Sequence, residues 1–185
     1  MYATSRARLR LVLPAIAWIF ILACAALGSP GAGGGNGGGG GPFKPATPIS
    51  DICSLLTTSD VQAILPGAQP GTEQQTPDTA AFGFWSRDCK WDVSDTSVQS
   101  IELVIFGATT EQGLAGIKAA AQSGNTNTPV SGLGSEAHYW IEDSDNGLWA
   151  LNGSVSVDIT AYFLSPMPTA DQLQPLVGKV LGEIK

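Results

Sequence analysis

Basic residues are scarce in this sequence, and no acidic residue occurs before Asp51. The chain has 9 lysines and arginines against 16 aspartates and glutamates. Three of the basic residues are N-terminal arginines, so the part from Cys24 onward has 6 basic and 16 acidic residues, a net charge of −10. A surface this acidic repels phosphate backbones and anionic lipid headgroups. We therefore predict that the protein has no nucleic-acid partner.

Histidine and catalytic motifs are equally scarce. His138 is the only histidine, and the sequence has no Gly-x-Ser-x-Gly nucleophile motif. A single histidine followed by Tyr139 and Trp140 is typical of a packed or surface strand residue. A Ser–His–Asp arrangement assembled only in space stays open as the alternative. We predict no catalytic residues, and hence a protein that is not an enzyme.

Cofactor and metal ligands form no recognisable set either. Gly132–Ala137 matches a loose Gly-x-Gly-x-x-Ala pattern, but a dinucleotide site needs a strand before it and a helix after it. Pro129 and an expected strand at His138–Ile141 supply neither. The acidic run Glu142–Gly147 could begin a twelve-residue calcium loop. The twelfth position would then be Gly153, where such a loop needs a glutamate that binds the ion through both oxygens. We expect a turn and a solvated hairpin loop, with no cofactor and no metal.

The N-terminus has the organisation of an export signal. Arg6, Arg8 and Arg10 precede an apolar run from Leu11 to Leu27, which contains Leu22-Ala23-Cys24. A charged start, an apolar core and a small residue before a cleavage point make up such a signal. A cysteine directly after the small residue is typical of bacterial lipoproteins. We predict that residues 1–23 are the signal peptide and that Cys24 carries the lipid, including palmitate.

Two other outcomes of this signal stay open. The apolar run of about 17 residues is at the lower limit for crossing a bilayer, which would make it an uncleaved anchor. Ordinary cleavage near Gly28 would instead release a soluble protein. All three outcomes place the folded part outside the cytoplasm, and the predicted one attaches it to the cell membrane by a lipid anchor.

Residues 24–48 are rich in glycine and proline and include Gly33–Gly35 and Gly37–Gly41. Because glycine loses the most backbone freedom on ordering, and this segment has almost nothing apolar to bury, we predict a flexible tether. The remaining residues, 49–185, are long enough for one globular domain with its own core. We expect the protein to be monomeric.

Lipidation of Cys24 leaves Cys53 and Cys89 as a pair. Export makes a disulfide between them chemically reasonable, and closing the loop would stabilise the domain by about 4 kcal/mol. A metal site is the alternative, but two cysteines and His138 fall short of the usual four ligands. The sequence therefore predicts a Cys53–Cys89 disulfide.

The domain combines helix starts with strand alternation. Thr57 begins a short helix that ends near Leu65, and Thr109 with Gln112 and Thr169 with Gln172 form capping-box patterns. The last helix has a core-facing stripe at i, i+3, i+4 and i+7 spacing, composed of Leu173, Leu176, Val177, Val180, Leu181 and Ile184.

Between these helices the apolar period changes to two. Residues 89–93, 100–106 and 155–163 alternate as strands do, and Asn152-Gly153 predicts a hairpin turn. The predicted fold class is α+β, an antiparallel sheet with helices packed on one face. The order of elements suggests two strand–strand–helix halves, with chance similarity as the alternative.

Three motifs also carry a resemblance. Cys53–Thr57 (Cys-Ser-Leu-Leu-Thr), Cys89-Lys90-Trp91 and Gly132-Leu133-Gly134 resemble, in order and spacing, motifs of an actinobacterial lipoprotein family of unknown function. The domain is also distantly similar to the extracellular sensor domains of mycobacterial receptor kinases. The resemblance implies a cell-envelope lipoprotein with one disulfide. It implies no activity and no catalytic residues.

Three functional hypotheses follow. The first is a non-catalytic binding or accessory module of the cell envelope, which contacts the membrane through Cys24 and an unknown envelope protein or ligand. The second is an extracytoplasmic ligand-sensing domain that acts with a receptor. The third is a small envelope hydrolase that uses His138. Fold-level analogy alone does not decide between them.

Overall fold

A computed structural model describes residues 42–74, 76, 79–94, 97–123 and 127–184. The predicted signal peptide, Cys24 and the tether as far as residue 41 lie outside these described residues. Gly124, a glycine typical of a helix end, is also outside the described residues.

Within the described residues, seven strands form one antiparallel sheet. Their order across the sheet is β1-β2-β3-β7-β6-β5-β4. Their bounds are β1 (Thr72–Gln74), β2 (Phe84–Asp92), β3 (Ser100–Ala108), β4 (Asn127–Pro129), β5 (Glu136–Glu142), β6 (Asp145–Asn152) and β7 (Val155–Tyr162). Gly153 begins the two-residue turn between β6 and β7 with φ 62°. The fold is α+β, and the predicted hairpin is confirmed.

Three α-helices accompany the sheet: α1 (Thr58–Gln62), α2 (Glu111–Gln122) and α3 (Ala170–Glu183). Thr57 and Asp60 cap α1 reciprocally, as Thr169 and Gln172 cap α3. The capping box predicted from Thr109 is wrong by one residue. The backbone N–H groups of Thr109 and Thr110 both donate to the carbonyl of Gly83, and the backbone at Thr110 is still extended. The hydroxyl of Thr110 therefore caps α2 by accepting from the backbone N–H of Gly113.

One face of the sheet, here called the helical face, carries the larger core. The stripe of α3 packs there as predicted, with Leu173, Val177 and Val180 fully buried. Its partners are alternate residues of the two central strands, namely Ile101, Leu103, Ile105, Val157, Ile159 and Ala161. A short 3-10 helix, Ile52–Ser54, and α1 complete this layer.

The second face carries α2. Ile117 of α2 packs with Ala108, Trp149 and Leu151, whose side chains leave the sheet opposite to the helical face. We predicted that all the helices pack on one face of the sheet. This is correct for α1 and α3, but α2 covers apolar residues at one end of the other face. The two strand–strand–helix halves repeat in their strands but not in the placement of their helices.

The folded domain begins before the boundary predicted at residue 49. The backbone N–H of Ala46 donates to the carbonyl of Ala108 at 2.8 Å, and the indole of Trp85 donates to the carbonyl of Ala46 at 3.3 Å. Phe43 packs against the cluster beneath α2. Residues 42–48 thus lie against the domain, because Phe43 and Ala46 supply the apolar surface that the preceding glycines lack.

A disulfide joins Cys53 in the 3-10 helix to Cys89 in β2, with their Cα atoms 5.3 Å apart. The predicted pairing is confirmed. Trp91, fully buried, lies two residues further along the same face of β2. A Cβ at Gly71 would lie 2.6 Å from the indole of Trp91 and 2.7 Å from the sulfur of Cys89, so only glycine fits beside this pair.

Candidate functional site

Much of the second face is left uncovered by α2, and we call this part the open face. The antiparallel register arranges its side chains in rows across the sheet. The first row consists of Asp88, Val104, Asp158, Trp149 and His138. The second consists of Lys90, Glu102, Thr160, Gly147 and Trp140, and the third of Asp92, Ser100, Tyr162, Asp145 and Glu142.

Three carboxylates surround Val104 at the centre of the open face. Asp88 lies opposite Val104 on β2, Asp158 lies opposite it on β7, and Glu102 is two residues away on β3 itself. We call Asp88, Glu102 and Asp158 the carboxylate triangle. All three are partly exposed. The triangle forms only when β2, β3 and β7 pair in this register, so the sequence analysis did not find it.

Burial disfavours the charged form of two members of the triangle. It raises the pKa of Asp88 from 3.8 to about 6, and the nearby charge of Glu102 adds to the effect. Burial likewise raises the pKa of Asp158 to about 6. Hydrogen bonds from Trp140 and Thr160 oppose this second shift, while Glu102 adds to it. Near neutral pH, the native state therefore holds both charges at a cost.

The ring of Trp140 lies over β6 because Gly147, its partner on that strand, has no side chain. A Cβ at Gly147 would lie 2.7 Å from the Trp140 ring and 2.8 Å from the carbonyl oxygen of Ile159.

The solvated loop predicted at Glu142–Gly147 is wrong in its second half. The turn is limited to Asp143 and Ser144, and residues 145–147 belong to β6.

Tyr162 lies beside the triangle, on β7 opposite Ser100, which is two residues from Glu102 on β3. Burial raises the pKa of the Tyr162 phenol, and the charges of Glu102, Asp158 and Asp145 raise it further. The phenol therefore keeps its proton at neutral pH. Tyr162 and Trp140 stand on the same face as the triangle.

The carboxylate triangle has no cationic partner within the described part of the chain. Lys90, the nearest cation in the register, forms an ion pair with Asp92 at 3.0 Å, and no Lys, Arg or His lies within 4.0 Å of a triangle carboxylate. Oδ1 of Asp88 and Oγ of Ser156 are among the buried side-chain oxygens of the described residues that lack a hydrogen-bond partner. The open face thus has unused acceptors and uncompensated negative charge.

His138 lies at the edge where α2 meets the open face. Its Nε2 is 3.0 Å from Oε1 of Glu136, and its ring stacks on Trp149 with centroids 5.8 Å apart. Glu136 also accepts a hydrogen bond from Gln122 and pairs with Lys118 of α2. Among the described residues, no serine hydroxyl hydrogen-bonds to His138. The histidine is part of the contact that holds α2 on the sheet.

Two kinds of feature are absent from the described residues. No group of three or more His, Cys, Asp or Glu side chains in these ranges is arranged to hold a metal ion. No helix in the same ranges is long and apolar enough to cross a membrane.

The chain matches no protein-family model, no curated protein and no solved structure. The likeness to envelope lipoproteins therefore rests on the short motifs of the sequence.

The cost of the Asp158 charge gives a prediction about stability. The folded pKa of about 6 exceeds the ordinary 3.8, so the native state loses stability relative to the unfolded chain as pH rises from about 4 through about 6. Asp158→Asn removes this ionisation and can still accept from Trp140. We expect it to raise the free energy of unfolding by about 1–2 kcal/mol at about pH 8, discounted for partial exposure.

Urea unfolding at about pH 8 and about pH 4 measures this difference. The control is Asp143→Asn, which makes the same chemical change at an exposed turn residue with φ 48° that asparagine tolerates. The Asp158→Asn variant should lose its advantage at the lower pH. An advantage of equal size at both pH values would show that the desolvated charge is not its cause.

Proposed function

We propose that this chain is an exported lipoprotein, anchored at the outer face of the cytoplasmic membrane through a lipid on Cys24. Its folded domain serves as a non-catalytic binding module of the cell envelope, and the open face is its binding surface. The observation that carries this proposal is the asymmetry of the sheet. One face is covered by α1 and α3, while the other exposes the carboxylate triangle beside Trp140 and Tyr162.

The open face favours binding because its side chains are already held in place. Trp140 is positioned by the space at Gly147, and Tyr162 stands on β7, which is paired on both sides. All of these residues stand on paired strands, which are more rigid than loops. A preformed surface loses little conformational entropy when a ligand arrives.

The position of His138 also supports binding over hydrolysis. A general base must reach a nucleophile within hydrogen-bond distance, directly or through one water. In the described structure His138 is instead paired with Glu136 and stacked on Trp149. Both contacts lie within the sheet, and Glu136 in turn bonds to Gln122 and Lys118 of α2.

The location is tested with the variant Cys24→Ala, expressed in a lipoprotein-processing bacterium. Mass spectrometry of the wild-type protein should find acyl chains on Cys24, and the variant should remain uncleaved or be released into the medium. Ser29→Ala, a change five residues further along, should be processed normally. An unmodified Met1 on membrane-bound wild-type protein would show an uncleaved anchor instead.

The binding role is tested by NMR of the indole N–H groups in the full-length protein. A small-molecule fraction from the cell envelope should shift the resonance of Trp140, which stands on the open face opposite Gly147. The matched control is Trp91, which is fully buried on the helical face and should not shift. A shift at Trp91 without one at Trp140 would place binding elsewhere.

A further inference from the structure

We propose that one end of the sheet docks a partner protein whose surface presents apolar side chains framed by lysine or arginine. We call this part of the domain the apolar end. It consists of Val98 in the loop before β3, Ile141 near the end of β5 and Phe163 directly after β7. The inference adds a second surface to the binding role proposed for the open face.

Exposed apolar side chains are concentrated at this end of the sheet. Among the described residues, the exposed large apolar side chains are Val98 at 67%, Phe163 at 50%, Ile141 at 40% and Phe82 at 50%. The first three stand where β3 begins and where β5 and β7 end. Phe82 precedes β2 and therefore lies at the opposite end, where β3 finishes.

Hydrogen bonds hold the segments of the apolar end together. The backbone N–H of Phe163 donates to the carbonyl of Ser144, in the turn after β5, at 3.1 Å. The carbonyl of Phe163 accepts from the side-chain amide of Gln99, the residue after Val98, at 3.4 Å. Phe163 thus lies between the loop before β3 and the turn that follows Ile141, and the three segments form one surface.

Core packing does not explain the apolar end. Val98, Ile141 and Phe163 are not among the residues that form or pack against the two apolar clusters of the described domain. Phe163 has φ 55°, a conformation that a bulky residue adopts at a cost and glycine adopts freely. A half-exposed aromatic residue in a strained conformation is more typical of an interaction site than of a core.

The charges beside the apolar end identify the kind of partner. Glu142 and Asp143 are exposed and Asp145 is partly exposed, all on the hairpin that bonds to Phe163. None of these three carboxylates forms an ion pair within the described ranges. A neutral partner would remove water from them without replacing its hydrogen bonds.

Lysine and arginine on the partner complement these carboxylates, whereas a second copy of the chain does not. The part of the chain from Cys24 onward has a net charge of −10, so two copies would bring like charges together. An apolar centre with an aromatic residue and a charged rim is the usual composition of a protein interface. Because the apolar centre has only three side chains, we expect a weak, transient complex that forms quickly at low salt.

The test is fluorescence anisotropy of a labelled heptapeptide of alternating lysine and leucine. It is titrated at low salt with the full-length protein in nanodiscs of neutral lipid, and binding to empty nanodiscs is subtracted. Phe163→Gly should weaken binding about tenfold or more, because it removes the central aromatic contact. Glycine suits φ 55°, so the variant should keep the wild-type circular dichroism spectrum.

Phe82→Ala is the matched control, because Phe82 is as exposed as Phe163 but lies at the opposite end. It should bind the peptide like the wild type. Val98→Ser should weaken binding in the same direction as Phe163→Gly. A heptapeptide of alternating glutamate and leucine should not bind, and raising the salt to about 0.5 M should weaken the binding of the lysine peptide.

Four results would overturn the inference: no binding of the lysine peptide to the wild type, unchanged binding in Phe163→Gly, an equal loss in Phe82→Ala, or equal binding of the glutamate peptide. The shift of the Trp140 indole by the envelope fraction reports on the open face and not on this end. Failure of the peptide test therefore leaves the proposed function standing, and failure of the indole test leaves the apolar end.

Discussion

Cys53→Ser should lower the free energy of unfolding by about 2–5 kcal/mol, the range for losing a native disulfide from a small exported domain. The bond spans 36 residues and ties the 3-10 helix to β2. Without the disulfide the unfolded chain gains conformational entropy. The 3-10 helix is then held to the sheet by its apolar contacts. Denaturant unfolding of the non-reduced protein measures the loss.

The double variant Cys53→Ser/Cys89→Ser should be little worse than either single variant, because the two changes remove one bond. Reduction of the wild type should give a similar loss of stability, and Cys24→Ser should leave the unfolding free energy unchanged. Costs that add in the double variant would show that the two sulfurs contribute independently, against a disulfide.

Trp91→Ala should cost about 3–5 kcal/mol, the range for deleting a large buried aromatic side chain. The indole is fully buried between the helical layer and β2, and it lies against the glycine backbone at position 71 and the sulfur of Cys89. Neighbours held by a sheet and a disulfide cannot collapse fully into the space, so a cavity should remain. Chemical denaturation monitored by far-UV circular dichroism measures this cost.

Trp140→Ala is the matched control, since it removes the same side chain from a partly exposed position on the open face. Its cost should be clearly smaller, because less apolar surface is returned to water and no cavity forms in the core. Equal costs for the two tryptophans would mean that the open face is packed as a second core.

Local patterns in the sequence determined several elements because the physical signal lies within a few residues. In α3, Thr169 and Gln172 satisfy the first backbone N–H groups, and Leu173 begins the stripe that the helix buries. In β7, alternation from residue 155 to residue 162 separates the buried Val157 and Ile159 from the opposite face. The disulfide followed from the predicted export signal and the count of cysteines.

Other features could not be found locally. The acidic run ending at Gly147 is typical of an exposed loop, yet the structure buries Asn146 and Gly147 within β6. The glycine leaves room for the indole of a residue on the neighbouring strand, a contact that depends on strand pairing. The N-cap of α2 is Thr110 and not the predicted Thr109 for a similar reason. The backbone N–H of Thr109 donates to the carbonyl of Gly83, which lies in a turn distant in the sequence.

The sequence by itself determined the predicted export signal, the tether composition, the acidic charge, the fold class and the Cys53–Cys89 pair, because composition and short periods carry that information. Only the tertiary structure decided that α2 lies opposite α3, and that Asp88, Glu102 and Asp158 surround Val104. Pairing between β3 and β7 joins residues that are 48 to 62 positions apart, and register places every side chain on one face or the other. The candidate site is a product of that register.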